Sequence, residues 1–228
     1  MTLPQITVSE LVRCSRCPLQ LYLARSDSPE FIEPHSYSIA KQIAAHLGGP
    51  LILEEIWDEL TTVRPDAGDA EYQLLASMIE ACDKTDWRVA DRTDAIVSSE
   101  KYGITGRVDR LFDDSFAVVK SSEAPPSGIY ASDRLRVTAY ALCLEEEYKR
   151  SFTGTVEYLG SGTIRRLGPT TPSDRRAFLA ALRAAENIFR GEIPKPLRGS
   201  RCLSCEYHER CKETEHPRSL FDKLYRRG

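Results

Sequence analysis

Two groups of side chains in this sequence have the types and spacing for chemistry. The first is Asp109, in Gly106-Arg107-Val108-Asp109, with Lys120 at the end of Phe116-Ala117-Val118-Val119-Lys120. Asp133, Arg136 and Tyr140 follow at spacings of three and four, which puts them on one face of a helix. An acid and a lysine on neighbouring strands, met by polar groups from a helix, can hold a divalent cation and a phosphodiester together. The same spacing also suits ordinary solvated charges on a small sheet. The second group is sulfur: Cys14-x-x-Cys17 near one end, and Cys202, Cys205 and Cys211 near the other. Paired as Cys14/Cys17 and Cys202/Cys205, four thiolates make a zinc ribbon-like site. Cys202, Cys205 and Cys211 with one distant cysteine make the ligands of a 4Fe–4S cluster.

The elements that must position these groups are legible around them. Gly103 to Phe112 alternates as a half-buried strand, Asp113-Asp114-Ser115 is turn chemistry, and Phe116 to Lys120 reads as the return strand. After the breaker Pro125-Pro126-Ser127-Gly128, Ser132 is placed to cap a helix that runs to about Glu147. Upstream, helices are expected from Ser9 past Pro18 to Leu23, over Ser36 to Leu47 with Gly48-Gly49 as the stop, over Leu51 to Leu60, and from Asp69 to Cys82. Trp87 to Ala90 and Thr93 to Ser98 read as strands. Gly160-Ser161-Gly162 joins two more, and Ser173-Asp174 opens an amphipathic helix that ends at Gly191. Helices, then strands with a crossing helix, then a helix, predict an α/β sandwich around a mixed sheet.

Composition is that of an ordinary globular protein, 41% hydrophobic and 29% charged over 228 residues. Net charge is −3, so any nucleic-acid contact must come from a local patch. Arg107, Arg110, Lys120, Arg134 and Arg136, with Lys223, Arg226 and Arg227 in the tail, could form one, with Tyr130 or Tyr140 as stacking groups. They equally suit a solvated face. No apolar run approaches a membrane span and no secretory signal is visible, which predicts a cytoplasmic protein with no membrane partner. Disulfides are rare in that compartment, so the seven cysteines need another role. Cys82 and Cys143 fall in apolar helical patterns and read as core.

The chain resembles the RecB-like branch of the PD-(D/E)XK nucleases, whose pattern runs G-x-x-D, then (D/E)-x-K, then Q-x-x-x-Y. The resemblance implies a restriction-endonuclease-like α/β fold, with a mixed sheet flanked by helices. Asp109 takes the place of the metal-binding acid, Lys120 of the catalytic lysine and Tyr140 of the helix tyrosine. His46 corresponds to a helix histidine that meets the metal-binding aspartate in that family, which implies His46 beside Asp109 on the metal. Two positions depart: Val118 stands where the second acid belongs and Arg136 where the glutamine belongs.

Iron–sulfur members of the group, such as the CRISPR-associated adaptation exonucleases and the nuclease domain of the replication helicase–nuclease, are similar at both ends. They carry one N-terminal cysteine before a proline and three at the C-terminus. Cys17-Pro18, Cys202, Cys205 and Cys211 match and imply a 4Fe–4S cluster, leaving Cys14 spare. The likeness implies a single domain over 1–228, in which 1–25 and 192–228 form a cysteine subdomain. A metal there closes a loop of about 180 residues and should contribute to folding.

The departures change the expected chemistry. Mg²⁺ or Mn²⁺ needs several hard oxygen ligands, and Asp109 with His46 and a carbonyl near Val119 supplies one carboxylate, so the ion should be weakly held. A guanidinium at Arg136 repels a cation and attracts phosphate. The expectation is a DNA-engaging iron–sulfur protein that contacts single strands or ends through Arg107, Lys120 and Arg136, works with partners in DNA processing, and has weak or lost phosphodiester hydrolysis. Alternatives are an active single-strand exonuclease using a migrated acid, Asp133 or Glu123, and a zinc-stabilised interaction module.

Overall fold

The computed structural model describes residues 5–27 and 33–215. Its spine is β3 (Ile104–Leu111), where small and polar residues alternate with Ile104 and Val108. β2 (Arg92–Ser99) runs antiparallel along one edge of β3, from Ser99 opposite Ile104 to Arg92 opposite Leu111. The other edge is shared. β1 (Ile6–Thr7) pairs in parallel with Ile104 and Thr105, and β4 (Ser115–Lys120) pairs antiparallel with Arg110 and Leu111. Between those two partners the edge of β3 has no ladder, and that gap contains Asp109. β5 (Thr153–Tyr158) joins β4 in parallel, and β6 (Thr163–Arg166) closes the sheet antiparallel to β5. The sheet is therefore six-stranded and mixed.

Each face buries its own apolar cluster. On one face, α1 (Val8–Arg16), α6 (Ala131–Tyr148) and α7 (Pro172–Phe189) pack on Val97, Val108, Phe116, Val118 and Val156. On the other, α3 (His35–His46), α4 (Leu53–Val63) and α5 (Asp69–Cys82) pack on Trp87, Val119 and Leu159. α2 (Pro18–Asp27) and α8 (His208–Glu215) meet at a smaller cluster of Leu19, Leu23 and Tyr207. Among the described residues no helix is long and apolar enough to cross a membrane.

Four local expectations are corrected. Trp87 to Ala90 is not a strand: the Trp87 indole N–H donates to the Cys82 carbonyl at 2.8 Å and its ring is buried against the α3–α5 cluster. The first helix is capped two residues early, because Thr7 forms a reciprocal capping box with Glu10 where Ser9 was expected to cap. Tyr130 precedes α6 without a side-chain cap, leaving Ser132 inside the helix, and Thr171 rather than Ser173 caps α7, with Pro172 at its first position.

Arg110 lies wholly buried under β3 and donates to both Glu157 carboxylate oxygens, at 2.8 and 2.9 Å. It also donates to the carbonyls of Leu47 (3.1 Å) and Arg88. A charge taken out of water must be paired in this way. Arg110 is thus a structural clamp and no part of an exposed basic patch.

Candidate functional site

Asp109 sits where β3 and β4 part. The last ladder pair is Arg110 with Ala117, and beyond it the Asp109 Oδ2 accepts the Val119 amide at 2.8 Å in place of a strand carbonyl. Pairs on either side, Thr93 with Arg110 and Ala95 with Val108, set Asp94 opposite Asp109. Asp94 has left-handed backbone, φ 51°, uncommon for a residue other than glycine. Val108 and Leu111, three apart, both face the α6 cluster, so β3 changes face across Asp109. Burial raises the Asp109 pKa to about 6, against the opposing Val119 amide and the charges of Arg136 and Lys41.

Gly106 explains how α6 reaches this place. A Cβ there would lie 2.6 Å from the Tyr140 ring, so only glycine lets the tyrosine rest on β3. Tyr140 is buried, and burial raises its pKa while neighbouring Arg136 opposes the rise. Arg136, one turn before Tyr140 on α6, donates to Ser9 Oγ at 3.3 Å and holds its charge beside Asp109. Val118 is 2% exposed and belongs to the apolar cluster.

Lys120 ends β4 with its Nζ 3.3 Å from Asp133 Oδ1. Asp133 is buried, and its Oδ2 accepts the Tyr158 hydroxyl at 3.0 Å. Both carboxylate oxygens are therefore occupied within the protein. Glu123 is exposed on the loop after β4.

The structure thus gathers Asp109, Arg136 and Tyr140 at one place, with Lys120 and Asp133 at the neighbouring end of β4. It does not bring His46 there. His46 Nε2 is 2.9 Å from Glu59 of α4, because at 3.6 residues per turn it lies roughly 140° around α3 from Lys41. The α3 groups acting at Asp109 are Lys41 and Tyr37, four residues apart on one face. The Lys41 ammonium is 3.4 Å from Asp94 Oδ1 and 5.2 Å from the Tyr37 ring centroid. Sequence reading missed Tyr37, Lys41 and Asp94. The four-residue spacing of the first two was the available signal, whereas Asp94 depends on strand register. Arg107 is exposed on β3 opposite Ile96. Arg134 is committed to Asp174, with Nη2 3.0 Å from Oδ2. Lys223, Arg226 and Arg227 lie outside the described residues.

The thiols separate cleanly. Cys14 is buried in the main core, and its pKa rises to about 11 through burial and then Cys17. Cys17 sits in the extended break between α1 and α2, Cys202 and Cys205 in and just after a short 3₁₀ turn at Ser200–Ser204, and Cys211 on α8. All four line one cavity of about 680 Å³. Burial raises the Cys211 pKa, with Arg198 opposing and Cys17, Cys202 and Cys205 adding to the rise, so the four thiols share one electrostatic environment. Four sulfur donors on one cavity fit a tetrathiolate group in donor type and number. Among the described residues, no three ligand-type side chains converge in metal-binding geometry.

Comparison with protein families matches residues 5–212 to the PD-(D/E)XK nuclease superfamily. A solved structure described as a candidate exonuclease from Eubacterium rectale aligns with a TM-score of 0.64 at 11% identity, over 97% of this chain and 93% of its own. SSO0001 aligns over 85% of this chain and 94% of its own at 15% identity, but its TM-score of 0.36 is too low to inform the fold. A search of curated proteins returns no match.

Proposed function

This chain belongs to the PD-(D/E)XK nuclease superfamily, and we propose that it is an iron–sulfur protein of the RecB-like branch that engages DNA, at single strands or ends, while hydrolysing phosphodiesters weakly or not at all. The observation that carries this reading is the setting of Asp109. Its carboxylate is flanked by the charges of Arg136 and Lys41, while the neighbouring position two residues before Lys120 is a buried valine. A divalent cation prefers several oxygen ligands and no adjacent cations. A phosphate prefers the reverse, a guanidinium and an ammonium with an anion behind them to hold their geometry. Lys120 adds a third cation, though Asp133 offsets part of its charge. Asp109 would hold Mg²⁺ or Mn²⁺, with Asp94 opposite it already paired to Lys41, and such an ion, when bound, supplies the Lewis acid for hydrolysis.

Cys17, Cys202, Cys205 and Cys211 are the proposed 4Fe–4S ligands. The role argued for the cluster is mechanical, a tie between the two ends of a single domain, with 1–25 and 192–228 as the subdomain around it. Zinc on the same four thiols would serve the same mechanical purpose.

A second reading has its own observation. Asp133 reaches Lys120 at 3.3 Å, so a migrated acid stands close to the lysine of the pattern. It is disfavoured because Lys120 and Tyr158 already occupy both oxygens.

The test uses anaerobically purified full-length protein. Broad absorbance near 400 nm is expected, with retardation of labelled single-stranded DNA and little cleavage when Mn²⁺ is added. Colourless zinc protein without DNA binding would support an interaction module instead.

A further inference from the structure

A cleft of about 550 Å³ between the β5–β6 hairpin and the start of α6 takes no part in the centre above. It is lined by Gly128, Ile129, Arg134, Ile164, Arg165 and Arg166. We propose that this cleft is a second backbone site for single-stranded DNA, which carries the strand onward from the Asp109–Lys120 centre. The proposal rests on the DNA-engaging reading of that centre.

Strand register places the cleft on the path. Lys120 pairs with Tyr158, Tyr158 pairs with Thr163, and Arg165 follows two residues later opposite Val156. Side chains two apart share a face, so Arg165 rises from the same face as Lys120, roughly 10–12 Å away by strand spacing and rise. Ile164 and Arg166 turn to the other face and reach the cleft around the edge of β6, the last strand of the sheet. Charge makes the cleft suitable for phosphate. Among the described residues its lining carries three arginines and no acid, and Arg134 is taken up by Asp174. The Arg165 guanidinium is anchored by a 3.2 Å bond from Nη2 to the Pro125 carbonyl, and its buried Nε has no acceptor among the described residues. Arg166 is exposed, and no acid among the described residues pairs with it. The uncapped start of α6 adds the positive end of a helix dipole.

Between the two cationic places stands an aromatic. Tyr130 is 48% exposed, and its ring meets Tyr158 edge-on at 6.2 Å. The Tyr158 hydroxyl donates to Asp133, the partner of Lys120. Cations on either side of an exposed ring, with Ile129 and Ile164 lining the far end, match a strand whose phosphates are gripped and whose bases are free to stack. Paired bases could not use the ring, so the occupant is single-stranded.

The experiment measures affinity and salt dependence for labelled oligo-dT of increasing length, using wild type, Arg166→Ala, Arg165→Ala/Arg166→Ala and Arg136→Gln. Wild-type affinity is expected to rise with length until both places are spanned. Arg166→Ala should weaken the long oligomers by roughly 3- to 10-fold and flatten their salt slope by about 0.7, leaving the shortest bound oligomer unaffected. Arg136→Gln should weaken every length. Arg166 is exposed, so its variant decides the matter if the double variant also melts lower. Unchanged long-oligomer binding in Arg166→Ala and in the double variant overturns the cleft alone. Equal losses at the shortest and longest lengths overturn it too, by placing Arg166 in the first site. Absence of binding by wild type overturns the reading of the centre and the cleft with it.

Discussion

The cysteine end and the Asp109 centre differ in how complete their donor sets are. At the cysteine end, each position that the iron–sulfur pattern asks for carries a thiol, and the four line one cavity. At the Asp109 centre, two positions of the nuclease pattern carry valine and arginine, and the residues that do match have structural work. Asp109 takes up the Val119 amide where two strands separate, and Tyr140 fills the space above Gly106. The difference teaches that a pattern residue can be required by the fold when its catalytic partners are absent. Presence of Asp109, Gly106 and Tyr140 is evidence of architecture, and activity has to be judged from Val118 and Arg136.

The largest expected effect breaks the comparison on the cysteine side. Single Cys→Ser changes at Cys17, Cys202, Cys205 and Cys211 should each lose bound iron and most of the soluble yield, while Cys14→Ser keeps both. Metal analysis of the purified variants checks this. Loss at Cys14 with retention at Cys211 would establish the other pairing and point to zinc.

On the other side, the clamp beside the centre comes next. Arg110→Met leaves Glu157 buried without its partner, and should cost about 3–5 kcal/mol in urea unfolding. Replacing Glu157 by leucine as well should recover much of the loss, because the clamp contributes through mutual satisfaction.

Asp109 itself gives a pH-dependent effect. Its folded pKa of about 6 lies above the unfolded value of about 4, so the folded protein binds the proton more tightly. Stability from this group is then full below pH ~4 and is lost as pH rises towards 6. Asp109→Asn should stabilise the protein by roughly 2–3 kcal/mol at pH 8 and by little at pH 4, since asparagine can still accept the Val119 amide. Equal effects at both pH values would remove burial of the charge as the cause. The smallest effect is on binding: Arg136→Gln should lower the slope of log K against log salt by roughly 0.7–0.9 and weaken DNA binding modestly.

Much of this arrangement was legible before any coordinates. Alternation and turn chemistry placed β3 and β4, and spacings of three and four placed Asp133, Arg136 and Tyr140 on one helix face. The family resemblance at Cys17-Pro18 set Cys14 apart from the other clustered cysteines, and Cys14 is buried in the main core. What escaped was whatever depends on register or on the rotation of a helix. Asp94 meets Asp109 only through the β2–β3 pairing. His46 turns to Glu59 while Lys41 turns to the centre, a distinction of rotation about α3 that residue type does not reveal. Arg110 read as one more surface base because its partner Glu157 lies on a strand far along the chain.

The most direct test of the central claim is metal-dependent hydrolysis of labelled DNA by wild type, Val118→Glu, Arg136→Gln and the double variant, with Mn²⁺-dependent melting measured beside it. Wild type should cleave little and gain no melting temperature from Mn²⁺. The double variant supplies the second carboxylate and removes the competing guanidinium, so it should gain both Mn²⁺ stabilisation and exonuclease activity. Val118→Glu alone should gain less, because Arg136 remains to pair with the new acid. Robust Mn²⁺-dependent cleavage by wild type, abolished by Asp133→Ala, would contradict the account and make Asp133 the acid of a working nuclease.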